Sequence, residues 1–123
     1  MNPNATLRTA ATAVTHALCL RTARSFWSRF RGLMFAGPLR DEPVHGLLIT
    51  RCPSVHGFFM RYAVDVVYLS RSSQGTHTVT HTTTLKPWCL SFGSKGSAHA
   101  LEVPAGTIAK LSIRIGDELQ VQP

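Results

Sequence analysis

The sequence predicts a mostly β chain, a compact antiparallel sandwich or small barrel carrying one or two short helices. Three observations point there. Short apolar or threonine-rich runs are separated by turn residues at roughly 8–12-residue spacing, which is the signature of short strands in an all-β fold. Residues 63–84 read as an antiparallel hairpin: the run Ala-Val-Asp-Val-Val-Tyr-Leu, a loop Arg71-Ser-Ser-Gln-Gly75, and a return strand over residues 76–84 rich in threonine and valine. The length of 123 residues suits one hydrophobic core and is too short for two. A flexible N-terminal tail over residues 1–14 and a single β-rich domain over residues 15–123 are therefore expected.

Residues 1–14 show no stable period and should fray, as untethered termini do. Residues 16–21 alternate as a strand, with Ala17, Cys19 and Arg21 on one face. As a helix, residues 25–33 gather Phe26, Trp27, Phe30 and Leu33 on one side and leave Arg24, Ser28 and Arg31 on the other, an amphipathic helix with a solvated arginine face. Breakers make residues 37–43 a loop that exposes Asp41 and Glu42, and residues 46–50 are apolar and β-prone. Cys52-Pro53-Ser54 interrupts them, because proline cannot donate to a central ladder. Another strand is expected over residues 55–60.

Pro87, Gly93 and Gly96 make residues 85–96 an irregular connection, expected to bury Trp88 and Phe92. A strand over residues 98–103 ends at Pro104-Ala-Gly106, residues 107–111 allow one helical turn, and residues 113–121 cross a Gly116-Asp117 turn into the last strand.

Composition narrows the function classes. At 44% hydrophobic and 15% charged residues, the chain belongs with globular proteins and not with disordered ones. No run approaches the roughly 20 apolar residues of a membrane-spanning helix. Cys19, Cys52 and Cys89 form no C-x-x-C pair, and an odd count is awkward for a secreted disulfide framework, so reduced thiols in a soluble, cytoplasmic protein are expected. Thirteen basic against six acidic residues give a formal charge of +7, which can recruit nucleic acid, anionic lipid or acidic proteins. Arg21, Arg24, Arg29, Arg31 and Arg40 concentrate it in the N-terminal third, where nucleic-acid binding is one alternative reading.

Cys52, His56 and Met60 carry soft-metal ligands at a spacing of four. On a regular strand, residues four apart are about 13 Å from each other, beyond one coordination sphere. No metal site is expected, and no cofactor. His77 and His81 are excluded in the same way, as two residues on one face of the threonine-rich strand. Asp65 asks for more: a carboxylate in an apolar strand costs several kcal/mol unless hydrogen bonds or a cation answer it. Arg61, Arg51 and His56 are candidate partners, as are backbone amides of a neighbouring loop. Glu102 is a second acid in an apolar strand and would pair with Asp65 if their strands met. Cys52 with His56 as base and Asp65 as orienting acid makes a chemically coherent triad, although triads are recognised by mutual geometry. The sequence has neither a Gly-rich phosphate loop nor a G-x-S-x-G elbow.

Arg31-Gly-Leu-Met34, Gly46-Leu-Leu-Ile49, Cys52-Pro-Ser-Val-His-Gly-Phe-Phe-Met-Arg61, Val64-Asp-Val-Val-Tyr-Leu69, Lys86-Pro-Trp88, Leu101-Glu-Val-Pro-Ala-Gly106 and Ile115-Gly-Asp117 follow in an order that resembles the domain-of-unknown-function family 192. The resemblance covers about residues 17–121. It implies a compact, β-rich, sandwich-like domain and supplies no settled activity. The family's common form has an aromatic-Met-Lys-Asn-Thr segment followed by Pro-Leu-Asp. Phe59-Met60-Arg61-Tyr62-Ala63 and Val64-Asp65 stand there in this chain, keeping Met60 and Asp65, and the Cys-x-x-x-His lead-in looks like a subgroup.

The expected function is a noncatalytic domain that binds a small molecule or a protein, with its ligand site at Cys52, His56, Phe59, Met60, Arg61 and Asp65. The alternatives are a small enzyme built on Cys52, His56 and Asp65, and nucleic-acid binding through the arginine-rich N-terminal third.

Overall fold

The computed structural model describes residues 3–23, 44–52, 54–56 and 62–122. In chain order they form β1 (Ala5–Thr9), β2 (Val14–Ala23), β3 (Val44–Ile49), β4 (Ser54–His56), β5 (Val64–Leu69), β6 (Thr76–Leu85), β7 (Leu90–Phe92), β8 (His99–Pro104), α1 (Thr107–Leu111) and β9 (Glu118–Val121). Seven strands close into a barrel in the order β1-β2-β3-β8-β5-β6-β9, while β4 and β7 form a separate two-stranded sheet. Of the two expected architectures the barrel is the one found. Closure leaves no unpaired edge in the main sheet.

All barrel pairs are antiparallel except β2 with β3, which run parallel. A parallel pair needs a crossover, not a hairpin. The expected amphipathic helix over residues 25–33 and the loop over residues 37–43 lie between these strands, outside the described residues.

The stretch expected to fray contains β1. Ala5, Leu7 and Thr9 are buried while Arg8 is exposed, an alternation whose small side chains give little signal. β1 pairs with β2 on one side and with β9 on the other, so it closes the barrel.

The barrel interior is filled by Leu7, Leu18, Leu20, Leu48, Val67, Leu69, Val79, Leu101, Val103 and Leu119, joined by Leu111 of α1 and Ile113. A second apolar cluster lies on the outer face of β3, β5 and β8, comprising Leu47, Ile49, Val64, Val66, Tyr68 and Ala100, with Val55 of β4 packed on it. All six residues of β5 are consequently buried, which explains its nearly continuous apolar sequence. The Tyr68 hydroxyl meets the Ser91 hydroxyl of β7 at 2.7 Å and ties the small sheet to the barrel.

Trp88 and Phe92 were expected to be buried and are instead 60% and 68% exposed. Strand alternation is the reason for Phe92: with Ser91 turned toward Tyr68, Leu90 and Phe92 point away. Trp88 sits at φ 64°, a left-handed kink. His77 and His81 also depart from expectation. Tyr68 pairs with His81 but Leu69 pairs with Val79, so an extra residue, a β-bulge, interrupts β6 and reverses its parity. His81 lies beside the outer-face Tyr68 ring, whereas His77 pairs with the interior residue Leu119.

Gly46 sits where a Cβ would stand 2.8 Å from Leu20 Cδ2, 3.0 Å from Leu101 Cδ1 and 3.1 Å from the Glu102 carbonyl oxygen. The barrel is too tight there for a methyl group, and one of its obstacles is backbone. Gly46→Ala is expected to destabilise the protein by about 1–3 kcal/mol, the usual cost of overpacking. Urea unfolding would show this as a lower midpoint with an unchanged slope.

Candidate functional site

Asp65 is 2% exposed and points to the interior face of β5. Its Oδ1 accepts a hydrogen bond from the Thr84 hydroxyl at 2.8 Å, and its Oδ2 accepts from the backbone N–H groups of Gly106 at 3.0 Å and Ile108 at 2.9 Å. Those amides belong to the first turn of α1, where N–H groups have no partner within the helix. Of the partners considered for Asp65, the backbone amides are the ones observed. The carboxylate fastens α1 against β5 and β6, and both of its oxygens are occupied.

Asp117 does the same for another loop. Its Oδ1 accepts from the Ala10 amide at 3.0 Å and its Oδ2 from the Arg114 amide at 2.8 Å, joining the β1–β2 turn to the turn before β9. From sequence, Asp117 is only a turn residue.

Glu102 is fully buried, but on the other side of the sheet. The strands of the two acids do meet: Asp65 pairs with Val103 and Val66 with Glu102. This register, offset by one residue, places the carboxylates on opposite faces, so the pair envisaged from sequence does not form. Glu102 lies in the outer cluster near Tyr62 and Tyr68. Burial raises both phenol pKa values, and the nearby Glu102 charge raises them further; for Tyr68 the Ser91 hydrogen bond acts in the opposite sense.

Cys52 packs at the margin of this outer cluster, half-buried, near Tyr68. Its thiol donates to the Ser54 carbonyl oxygen at 2.7 Å, and its backbone N–H donates to the Ala98 carbonyl at 2.9 Å. The Ser54 bond engages the thiol proton, which a nucleophile would have to give up. Asp65 faces the barrel interior with both oxygens engaged, while Cys52 lies at the outer cluster, so these two members of the envisaged triad do not converge. His56 closes β4 opposite Leu90. Phe59, Met60 and Arg61 lie outside the described residues, as do Pro53 and Gly57. Among the described residues no group of three or more His, Cys, Asp or Glu is placed to hold a metal ion. No described helix is long and apolar enough to cross a membrane.

The fold and the site define a class: a small closed β-barrel, plugged at one end by a helix that a buried aspartate holds, with a two-stranded sheet laid over its outer face. The family described as "Uncharacterized ACR", DUF192, matches residues 7–121. The chain belongs to this family. It is 40% identical over 103 residues to a UPF0127 protein of Pyrococcus furiosus, covering 82% of this chain and 84% of that one. A UPF0127 protein of Pyrococcus horikoshii is 33% identical over 102 residues, covering 82% and 85%. A crystal structure from Sinorhizobium meliloti 1021, provisionally described as a transcription regulator, superposes with a TM-score of 0.77 at 25% identity, covering 98% of this chain and 94% of that one.

Asp65→Asn keeps the shape but offers one acceptor oxygen and turns an amide N–H₂ toward donors. A loss of about 1.5–3 kcal/mol is expected, in the range for hydrogen bonds to a charged group. Native-state hydrogen exchange should speed up at the Gly106 and Ile108 amides specifically. The cysteines supply a second check. Under native conditions a maleimide should modify exposed Cys89 first, Cys52 more slowly, and Cys19, at 1% exposure, only as the barrel opens. Peptide mass spectrometry reads the order, and Cys52 outpacing Cys89 would revive the nucleophile.

Proposed function

We propose that this protein is a noncatalytic binding domain whose contact surface is the β4–β7 sheet together with the neighbouring segment that holds Cys52, His56, Phe59, Met60, Arg61 and Asp65. The observation that carries the reading is the exposure of Trp88 at 60%, Leu90 at 60% and Phe92 at 68%, three large apolar side chains within five residues. Apolar side chains gathered in this way on a surface mark interaction sites. Leu90 pairs with His56 and Phe92 with Ser54, so the exposed residues stand directly beside the strand singled out from sequence. Asp65 contributes from beneath, through the hydrogen bonds that fix β5 under this layer.

The partner chemistry follows from the same segment. Lys86 and Lys95 flank the apolar residues and are exposed, and residues 85–98 contain no acid. A protein with an apolar centre and an acidic rim fits such a surface. Charge at a rim steers association, while buried aromatic anchors supply most of the affinity.

The test is a Leu90→Ser, Phe92→Ser variant. Both residues are exposed, so the fold should be affected little. A partner identified by crosslinking in native cell extract, then purified, should bind the wild type and lose at least about tenfold in affinity for the variant, the equivalent of 1.4 kcal/mol. Unchanged affinity would remove the reading. Binding to vesicles containing phosphatidylglycerol, lost in the same variant, would replace the protein partner with a lipid surface.

A further inference from the structure

A second surface, on a different part of the molecule, carries a separate inference. Four basic side chains meet at the end of the barrel where β3 and β5 finish and β6 and β8 begin. Arg51 follows β3, Arg71 follows β5, His77 lies near the start of β6, and His99 opens β8. Arg51 and Arg71 line an open cleft of about 440 Å³ together with Gly96, Ser97 and Ala98. The His77 and His99 rings meet edge to face, with centroids 5.2 Å apart.

None of the four described carboxylates lines this cleft. Asp65 and Asp117 are committed to backbone amides, Glu102 is buried on the outer face, and Glu118 opens β9 beside Arg8. Among the described residues, four like-charged or chargeable groups are thus gathered with no carboxylate lining the cleft. The gathering also carries a backbone cost, since Arg51 adopts φ 55°, a left-handed conformation uncommon for any residue but glycine. Such conformations cluster at ligand clamps.

We propose that this cleft binds a small oxyanion, either free or as the phosphate group of a small metabolite, held between the guanidinium groups of Arg51 and Arg71. Guanidinium suits the role because its planar fork matches tetrahedral oxyanions with paired hydrogen bonds. The volume exceeds that of a bare ion and lies within the range of small-molecule sites.

His99 is a built-in reporter. Its Nδ1 accepts the Arg51 backbone N–H at 2.9 Å, which places the ring proton on Nε2. Its pKa lies below the ordinary 6.5, through burial first and then the positive charges of His77, Arg71 and Arg51. A bound anion offsets those charges, so occupancy must raise the His99 pKa back toward 6.5, and protonation of His99 must strengthen anion binding by the same factor.

The experiment follows the His99 ring resonances of the full chain by NMR across pH 5–8, in sodium sulfate and in sodium chloride at equal ionic strength. Sulfate is the probe because it does not itself titrate in that range. A saturable rise in the His99 pKa with sulfate, beyond that with chloride, is expected. Arg71→Gln, at an exposed position, should raise the sulfate midpoint at least tenfold while leaving the fold intact. Arg51→Lys should weaken binding less than Arg51→Gly, which also relieves the positive φ. Glycerol 3-phosphate separates the two sources: tighter binding than inorganic phosphate points to a phosphate ester, equal binding to the free ion. Identical His99 titrations in sulfate and chloride, or an unchanged midpoint in Arg71→Gln, would overturn the proposal. Neither result depends on Leu90 or Phe92, so this site and the β4–β7 surface stand or fall separately.

Discussion

β5 has no face toward water, and the rest of the molecule is organised around that constraint. Its even and odd residues serve two different cores: Val67 and Leu69 point into the barrel, while Val64, Val66 and Tyr68 support the sheet outside it. A strand buried twice must be apolar throughout or must answer every polar group it carries. Asp65 is answered by Thr84 from β6 and by two amides from α1, and in being answered it fixes the helix that plugs the barrel end. The Tyr68 hydroxyl reaches Ser91, and Gly93 lets the chain after β7 pass between Ser97 and the ring, since a Cβ there would stand 2.5 Å from Ser97 Cβ and 3.0 Å from Tyr68 Cδ1. Both layers are thus tied by a single polar atom or carboxylate to the same strand.

The parts of this arrangement that sequence makes legible are those whose signal is local. The β5–β6 hairpin declares itself through an apolar run, a turn and a threonine-rich return, and Asp65 declares itself as a carboxylate that something must satisfy. What satisfies it is not legible, because α1 lies far along the chain and only the closed barrel brings it near. β1 escapes for the same reason: Ala5 and Thr9 are too small to announce a buried face, and the pairing that buries them joins opposite ends of the chain. The parity of His77 and His81 depends on one bulge residue that no spacing rule reveals. β7 hides between Pro87 and Gly93, and its outward face reverses the expectation that aromatic residues in a loop are buried.

The disposition of acids gives the surface a character that the formal charge alone does not convey. Three of the four described carboxylates are buried, and two of these are consumed by backbone amides. Carboxylates used as internal ties are not available at the surface to pair with arginine and lysine. At the barrel end the positive field is felt at His99, whose pKa is lowered by burial and then by His77, Arg71 and Arg51. Among the described residues, folding thus sequesters three of four acids and leaves Arg8, Arg51, Arg71, Lys86 and Lys95 exposed.

The corner at Arg51 and Cys52 is where these features converge. Leaving β3, the chain enters a left-handed turn at Arg51, whose amide is held by His99, and the next amide, that of Cys52, is held by the Ala98 carbonyl. These two consecutive hydrogen bonds to the start of β8 send neighbouring side chains to different places, Arg51 to the cleft at the barrel end and Cys52 to the margin of the outer cluster. An ordinary extended strand would also alternate its side chains, but it would continue along the sheet and could not turn onto the barrel's outer face to begin β4. The left-handed residue makes that turn, and glycine would adopt it with less strain. The arginine that stands there is at the mouth of a cleft it lines with Arg71, the position the proposed oxyanion site requires.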